Sequence, residues 1–211
     1  TATRIQNDPQ QNVEVQSTNT NSFNTVVSKF ENEERTILQL LILYGQHIMY
    51  YTDDAKTIPV TAGDYIAKEL EDDDLIFFNP LHQRMLEEYK TQSTDETFIP
   101  ERYFLFHPDA QISHLAADLV TEKYVLSKVH SKVKKVEADS ERLIELIPRV
   151  IFEFKNSLML DHMRSMLLEL KTAADNKNNL RVNEIMREIA ELEKIKIQLS
   201  KTLGERIIIK I

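Results

Sequence analysis

The last third of the chain repeats its apolar positions at helical spacing. Val182, Ile185, Ile189, Leu192, Lys196, Leu199 and Leu203 alternate steps of three and four, a coiled-coil-like seam interrupted once by a lysine. The pattern predicts helix over almost all of Ser140 to Leu203. Asp175-Asn176-Lys177-Asn178-Asn179 is the expected turn, because Asn tolerates left-handed backbone angles. One helix should run to about Ala174, and the final one from Leu180 to Leu203, stopping at Gly204. Pro148 has no N–H to donate, so a kink or a break between two helices is expected there. The tail Ile207, Ile208, Ile209 is β-prone.

The preceding residues read as a set of shorter helices. Glu31, Glu33 and Glu34 suit a helix N-terminus, Ile37, Leu38, Leu40, Leu41 and Tyr44 supply an apolar stripe, and Gly45 is a natural stop. A second helix is expected from Ala62 to Leu70. Asn79-Pro80 is a start signal for a third, running to about Lys90 and burying Leu81, Met85, Leu86 and Tyr89. Pro100 opens a turn or short helix through Phe106. Asp109 caps a helix carrying Ile112, Leu115, Ala116, Leu119 and Val120. No element is assigned to His47–Val60. Residues 1–30 are mostly Asn, Gln, Ser and Thr and are expected to be a flexible polar linker. The alternative is an arm docked through Phe23, Val26, Val27 and Phe30.

The fold class that follows is all-α: a helical bundle and then a long protruding helical hairpin. The expected division is a linker over 1–30, a bundle subdomain over 31–147, and a hairpin subdomain with a short C-terminal tail over 148–211. The turn end of the hairpin is furthest from the bundle and has the fewest neighbours to cover it. Leu167, Leu170, Leu180, Val182, Ile185 and Met186 are therefore the candidate partner-binding residues. Ile185 and Met186 stand out among them, since adjacent residues cannot both point into one narrow seam. Met159, Met163 and Met166 share a face of the preceding helix, packing inside the hairpin or lining a partner groove.

Composition narrows the function. The 211 residues suffice for a real core, and only 3 Gly and 6 Pro accompany 28% charged residues, as in mostly helical proteins. There is no Cys, so disulfides and thiolate metal sites are excluded. No apolar run approaches the roughly 20 residues of a membrane helix, and no membrane partner is expected. The chain opens at Thr1 without Met or a signal-peptide pattern and is expected to be a piece of something longer. Residues 141–211 hold 13 basic and 11 acidic residues against 13 and 23 in residues 1–140. Neither part is a basic surface of the kind nucleic acid requires.

Chemistry is sparse. His47, His82, His107, His114, His130 and His162 are scattered and form no HExxH. His107-Pro108-Asp109 offers two ligands, too few for a metal. The cluster Glu69, Glu71, Asp72, Asp73, Asp74 lacks the glycine and spaced oxygens of a calcium loop and reads as solvated. No Walker, GxGxxG or GxSxG motif is present. No catalytic, cofactor-binding or metal-binding residues are expected, and the chain is not expected to be an enzyme by itself.

Three stretches together carry a family resemblance. Asp72–Tyr89 reads DDDLIFFNPLHQRMLEEY, Tyr103–Ser127 reads YFLFHPDAQISHLAADLVTEKYVLS, and a helical pair ends in Leu203-Gly204-Glu205-Arg206-Ile207. Over about residues 31–211 this resembles the C-terminal helicase-binding domain of bacterial DNA primase, particularly the version found in the Bacteroidetes. The resemblance implies a bundle, similar to the helicase's own N-terminal domain, followed by a protruding hairpin. It further implies docking on the N-terminal collar of the hexameric replicative helicase during primer synthesis, in the bacterial cytoplasm. The parent's zinc-binding and RNA-polymerase domains would lie upstream, and neither a cofactor nor direct nucleic-acid contact is implied for this piece. Three alternatives stand beside it: the N-terminal collar domain of a replicative helicase, a generic helical oligomerisation or adaptor module that self-associates through the hairpin, and a small helical enzyme.

Overall fold

The structure, a computed structural model, describes residues 28–52, 55, 57–95, 97–130 and 139–202; of 122–130, 139–142 and 198–202 it describes the backbone. Residues 1–27 of the linker expected over 1–30, and the tail Ile207–Ile209, lie outside the described residues. Among those described, the order is α1 (Glu31–Tyr44), β1 (Ile48–Tyr51), β2 (Pro59–Thr61), α2 (Ala62–Asp72), α3 (Pro80–Gln92), α4 (Pro100–Leu105), α5 (Ala110–His130), α6 (Asp139–Asp175) and α7 (Asn179–Thr202). The fold is all-α, with a C-terminal helical hairpin and one small antiparallel ladder.

Local chemistry explains most of the boundaries. Thr61 and Asp64 form a reciprocal capping box at the start of α2: the Asp64 N–H donates to Thr61 Oγ1 at 3.1 Å, and the Thr61 N–H to Asp64 Oδ2 at 3.2 Å. Asn79 Oδ1 accepts the Leu81 N–H at 2.9 Å, and Asp109 Oδ1 accepts that of Gln111 at 2.9 Å, so both expected caps are in place. The unassigned stretch His47–Val60 contains the ladder, which pairs Ile48 with Thr61, Tyr50 with Val60 and Tyr51 with Pro59. Within β1, Met49 alone is buried, so no alternating pattern marks it in the sequence.

α1 is the centre of the bundle and packs against α2, α3, α4, α5 and α6. Ile37, Leu38 and Leu41 are fully buried against Ile66, Leu70, Met85, Leu86, Phe104, Ile112 and Leu119. Each such side chain contributes about 1.5–3 kcal/mol by leaving water. α1 also buries a carboxylate. Glu34 Oε1 accepts the Phe78 N–H at 2.5 Å, Oε2 accepts the Asn79 N–H at 3.2 Å, and His82 Nδ1 lies 2.7 Å from Oε2. His82 Nε2 faces Glu31 Oε1 at 3.3 Å, and Asn79 Nδ2 donates to Glu31 Oε2 at 3.0 Å. Two carboxylates of α1 thus hold the loop and first turn that begin α3.

Gly45 ends α1 as expected, but in right-handed helical geometry with φ −51°. Space is what requires glycine there. A Cβ at Gly45 or at Gly63 would overlap the Tyr89 hydroxyl. The two backbones meet through a Gly63 N–H to Gly45 carbonyl bond of 2.8 Å, with Tyr89 seated on both.

The expected break at Pro148 is not observed, because α6 runs through it. The carbonyl of Ile144, four residues back, loses its donor, and Ile144 is exposed, where water can take that place. The expected boundary at 147/148 therefore cuts a single helix. Leu143 and Ile147 precede the proline, Val150, Ile151 and Phe154 follow it, and all five belong to the bundle core, with Leu158 packed against it. The linker boundary also moves. Phe30 is buried, its ring 4.8 Å from that of Phe78 and 6.3 Å from that of Phe154.

Two measurements test this core. Glu34→Ala leaves buried His82 and the backbone N–H groups of Phe78 and Asn79 without their acceptor, and denaturant unfolding should record a loss of about 3 kcal/mol or more. Gly63→Ala should cost about 1–3 kcal/mol by overpacking, and adding Tyr89→Phe should restore part of it; a double variant no more stable than Gly63→Ala would show that Tyr89 is not the obstacle.

Candidate functional site

Several polar side chains of the bundle engage one another. Glu88 accepts from Arg84 Nε at 2.9 Å and from the Tyr103 hydroxyl at 3.4 Å, and lies 3.0 Å from His107 Nε2. Arg84 Nη1 also reaches Asp109 at 2.6 Å, and the Asp109 N–H donates to His107 Nδ1 at 3.1 Å. With Nδ1 accepting, Nε2 is the nitrogen that carries the proton towards Glu88. The Gln111 N–H and Arg84 hold the Asp109 carboxyl below its usual range, while burial and then Glu88 raise the Tyr103 phenol. His107-Pro108-Asp109 thus joins α3 to α5.

Within the acidic cluster, Lys155 of α6 lies 2.8 Å from Glu69 and 2.7 Å from Asp73, and Lys68 lies 2.7 Å from Asp72. Burial alone would lower the Lys155 pKa, but the hydrogen bonds to Asp73 and Glu69 outweigh it and raise it. The cluster, read in the sequence as solvated, is partly a clamp between α2 and α6. No group of three or more metal-ligating side chains occurs among the described residues. A surface cleft of about 430 Å³ lies beside α4, lined by Phe98, Ile99, Tyr103, Phe106 and His107 among others, with Phe106 largely exposed at its rim.

The hairpin is organised differently. α7 packs along α6, and its contacts form a second apolar cluster, separate from the bundle core. Met166, Ala173 and Ile185 are buried at its centre, with Leu170, Val182, Ile189 and Leu192 packed around them. Four of the seven seam positions thus face α6. Lys196 is half-buried, and the side chains of Leu199 and Leu203 lie outside those described. Met166 is buried and Met159 and Met163 are half-buried, in agreement with packing inside the hairpin.

The turn closes through backbone bonds from Asn176, Lys177 and Asn178 to Thr172, Ala174 and Ala173. The left-handed residue is Lys177, at φ 55°, rather than an asparagine. Asn178 Oδ1 instead accepts the Arg181 N–H at 3.2 Å and starts α7. Arg181 then joins the two helices. Its Nε lies 2.7 Å from Glu169, and its Nη1 3.1 Å from Glu184 and 3.4 Å from Glu188. The Glu169 carboxyl is held below its usual range by Arg181, whose own pKa is raised by Glu169 first and Glu184 next.

The six candidate partner-binding residues divide evenly. Leu170, Val182 and Ile185 build the hairpin's own cluster, with Ile185 at 0% exposure. Leu167, Leu180 and Met186 face outward at 52%, 79% and 57% exposure. The contrast between neighbours Ile185 and Met186 is the one expected of a narrow seam. Leu168, Ile195 and Ile197 are also exposed and were not among the sequence candidates. Leu168 directly follows one of them, and helical phase opposite the seam is the signal that finds it.

This partition predicts two opposite outcomes in thermal and chemical unfolding of the hairpin. Ile185→Ala should cost about 2–5 kcal/mol by opening a cavity, whereas Met186→Asp should change stability by about 0.5 kcal/mol at most.

A family model described as a domain of unknown function (DUF8430) matches residues 15–207, and the chain belongs to that family. No curated protein and no solved structure matches it.

Proposed function

We propose that this member of the DUF8430 family is a docking domain that attaches a DNA primase to the N-terminal collar of a hexameric replicative helicase, with the hairpin as the binding arm. The observation that carries the docking role is the outward apolar surface near the hairpin turn: Leu167 and Met186 share one face and are exposed on an arm whose own seam is already filled. Large exposed apolar side chains grouped on a projecting element mark interaction surfaces. The choice of helicase rests on the family resemblance of Asp72–Tyr89 and Tyr103–Ser127. The order of bundle and hairpin agrees with it. On this reading the chain binds and positions, and primer synthesis belongs to other domains of the parent protein.

The test is direct binding to the N-terminal domain of the same organism's replicative helicase. The full chain should bind, and a chain ending at residue 163 should stay helical while losing most of its affinity. The cut falls at 163 rather than 147 because Val150, Ile151, Phe154 and Leu158 are needed by the bundle core. Undiminished binding by the shortened chain would move the site to the bundle, and no binding by the full chain would remove the helicase as partner.

A further inference from the structure

The two broad faces of the hairpin are not equivalent. With 100° per residue and the seam as origin, Leu160 and Leu167 of α6 lie roughly a quarter turn to one side. Met186, Ala190 and Ile197 lie a similar angle round α7. Because the two helices are antiparallel, equal angles of this sense fall on the same side of the pair, so these residues share one face. Leu167, Met186, Ala190 and Ile197 are exposed and Leu160 is half-buried. The opposite face carries Glu169, Glu184 and Glu188 gathered round Arg181, with Ile195 beside them.

The cations separate in the same way. Arg181, on the acidic face, has three carboxylate partners. Arg164 and Lys171 flank the apolar face along α6 and Lys194 borders it along α7; all three are exposed and make no ion pair among the described residues. Glu193 of α7 and Asp175 of α6 are the carboxylates on that side, fewer than the three cations. The face is therefore an apolar strip with unpaired positive charge along its outer edges.

We infer that the face bearing Leu160, Leu167, Met186 and Ile197 is the docking surface of the arm, and that its occupant is an amphipathic helix with acidic flanks. Charge complementarity selects that occupant. An acidic flank meets Arg164, Lys171 and Lys194 with opposite charge, whereas a second copy laid face to face brings the same cations towards one another. The inference rests on the reading of the hairpin as the binding arm and adds which side binds and what chemistry it selects.

Two probes keep the two readings apart. Methyl NMR on the full chain would follow Leu167, Met186, Ile197 and Ile195 during titration with two 20-residue helical peptides. Both peptides carry the same leucine stripe, one flanked by Glu and the other by Lys. The Glu peptide should shift Leu167, Met186 and Ile197 and leave Ile195 unmoved, and the Lys peptide should bind at least ten-fold more weakly. The variant Arg164→Glu/Lys171→Glu should erase that preference without changing the fold. Equal binding of both peptides, binding of neither, or shifts centred on Ile195 would overturn the inference. So would a dimer of the full chain that Met186→Asp turns into a monomer. The second probe is the helicase N-terminal domain: Arg164→Glu/Lys171→Glu should weaken it at least ten-fold and Glu184→Lys/Glu188→Lys less than two-fold. If the peptide pattern holds while the helicase does not bind at all, the helicase reading fails and the docking face stands.

Discussion

One helix serves two hydrophobic clusters, and the rest of the structure depends on its continuity. α6 has 37 residues, a length of about 55 Å at 1.5 Å per residue. Its first half is core to the bundle; its second half is one wall of the hairpin. Phe154 packs its ring against those of Phe30 and Phe77, Lys155 is clamped between Glu69 and Asp73, and the Ser157 hydroxyl donates to Glu33 at 2.8 Å. Asp161 closes the series through an ion pair with Lys29. A helix held at so many successive turns has no freedom of direction, so the arm is aimed by the packing of residues 143–161.

That arrangement explains which parts of the fold can be read in the sequence. Helices α1, α2, α3 and α5 announce themselves because short-range chemistry sets them. Asn79 and Asp109 act on N–H groups two residues away, and the apolar stripes repeat within each helix. Pro148 misleads for the opposite reason. Its local cost is real, but burial of Leu143, Ile147, Val150, Ile151 and Phe154 on both sides outweighs one missing hydrogen bond. The strands around Met49 and Val60 carry no alternation because only one side chain is buried there. Gly45 and Gly63 are determined by Tyr89, more than twenty residues distant in sequence. A constraint that long in range leaves no local pattern.

The candidate site was legible in kind and only half legible in detail. A seam spaced by three and four residues identifies the cluster-forming positions, and Ile185 and Val182 occupy them. Exposure near the turn depends on the phase of each remaining residue against that seam. Leu170 falls in phase and is used inside; Leu167 and Met186 fall a quarter turn out and are free. Leu168 is further round still. Counting apolar residues near a turn mixes these classes, whereas counting phase separates them.

Bundle and arm differ in how far their charged groups are already engaged. Arg84, Lys155, His82 and His107 each face carboxylates within 3.3 Å, so a partner would have to compete with groups already positioned and partly desolvated. On the arm the apolar contacts needed for stability lie in the seam, and Arg181 ties the acidic edges of the two helices together. Leu167, Met186 and Ile197 can be covered without breaking any interaction the fold uses. A surface of that kind offers the full gain of burial to a partner and asks no reorganisation of the protein that presents it.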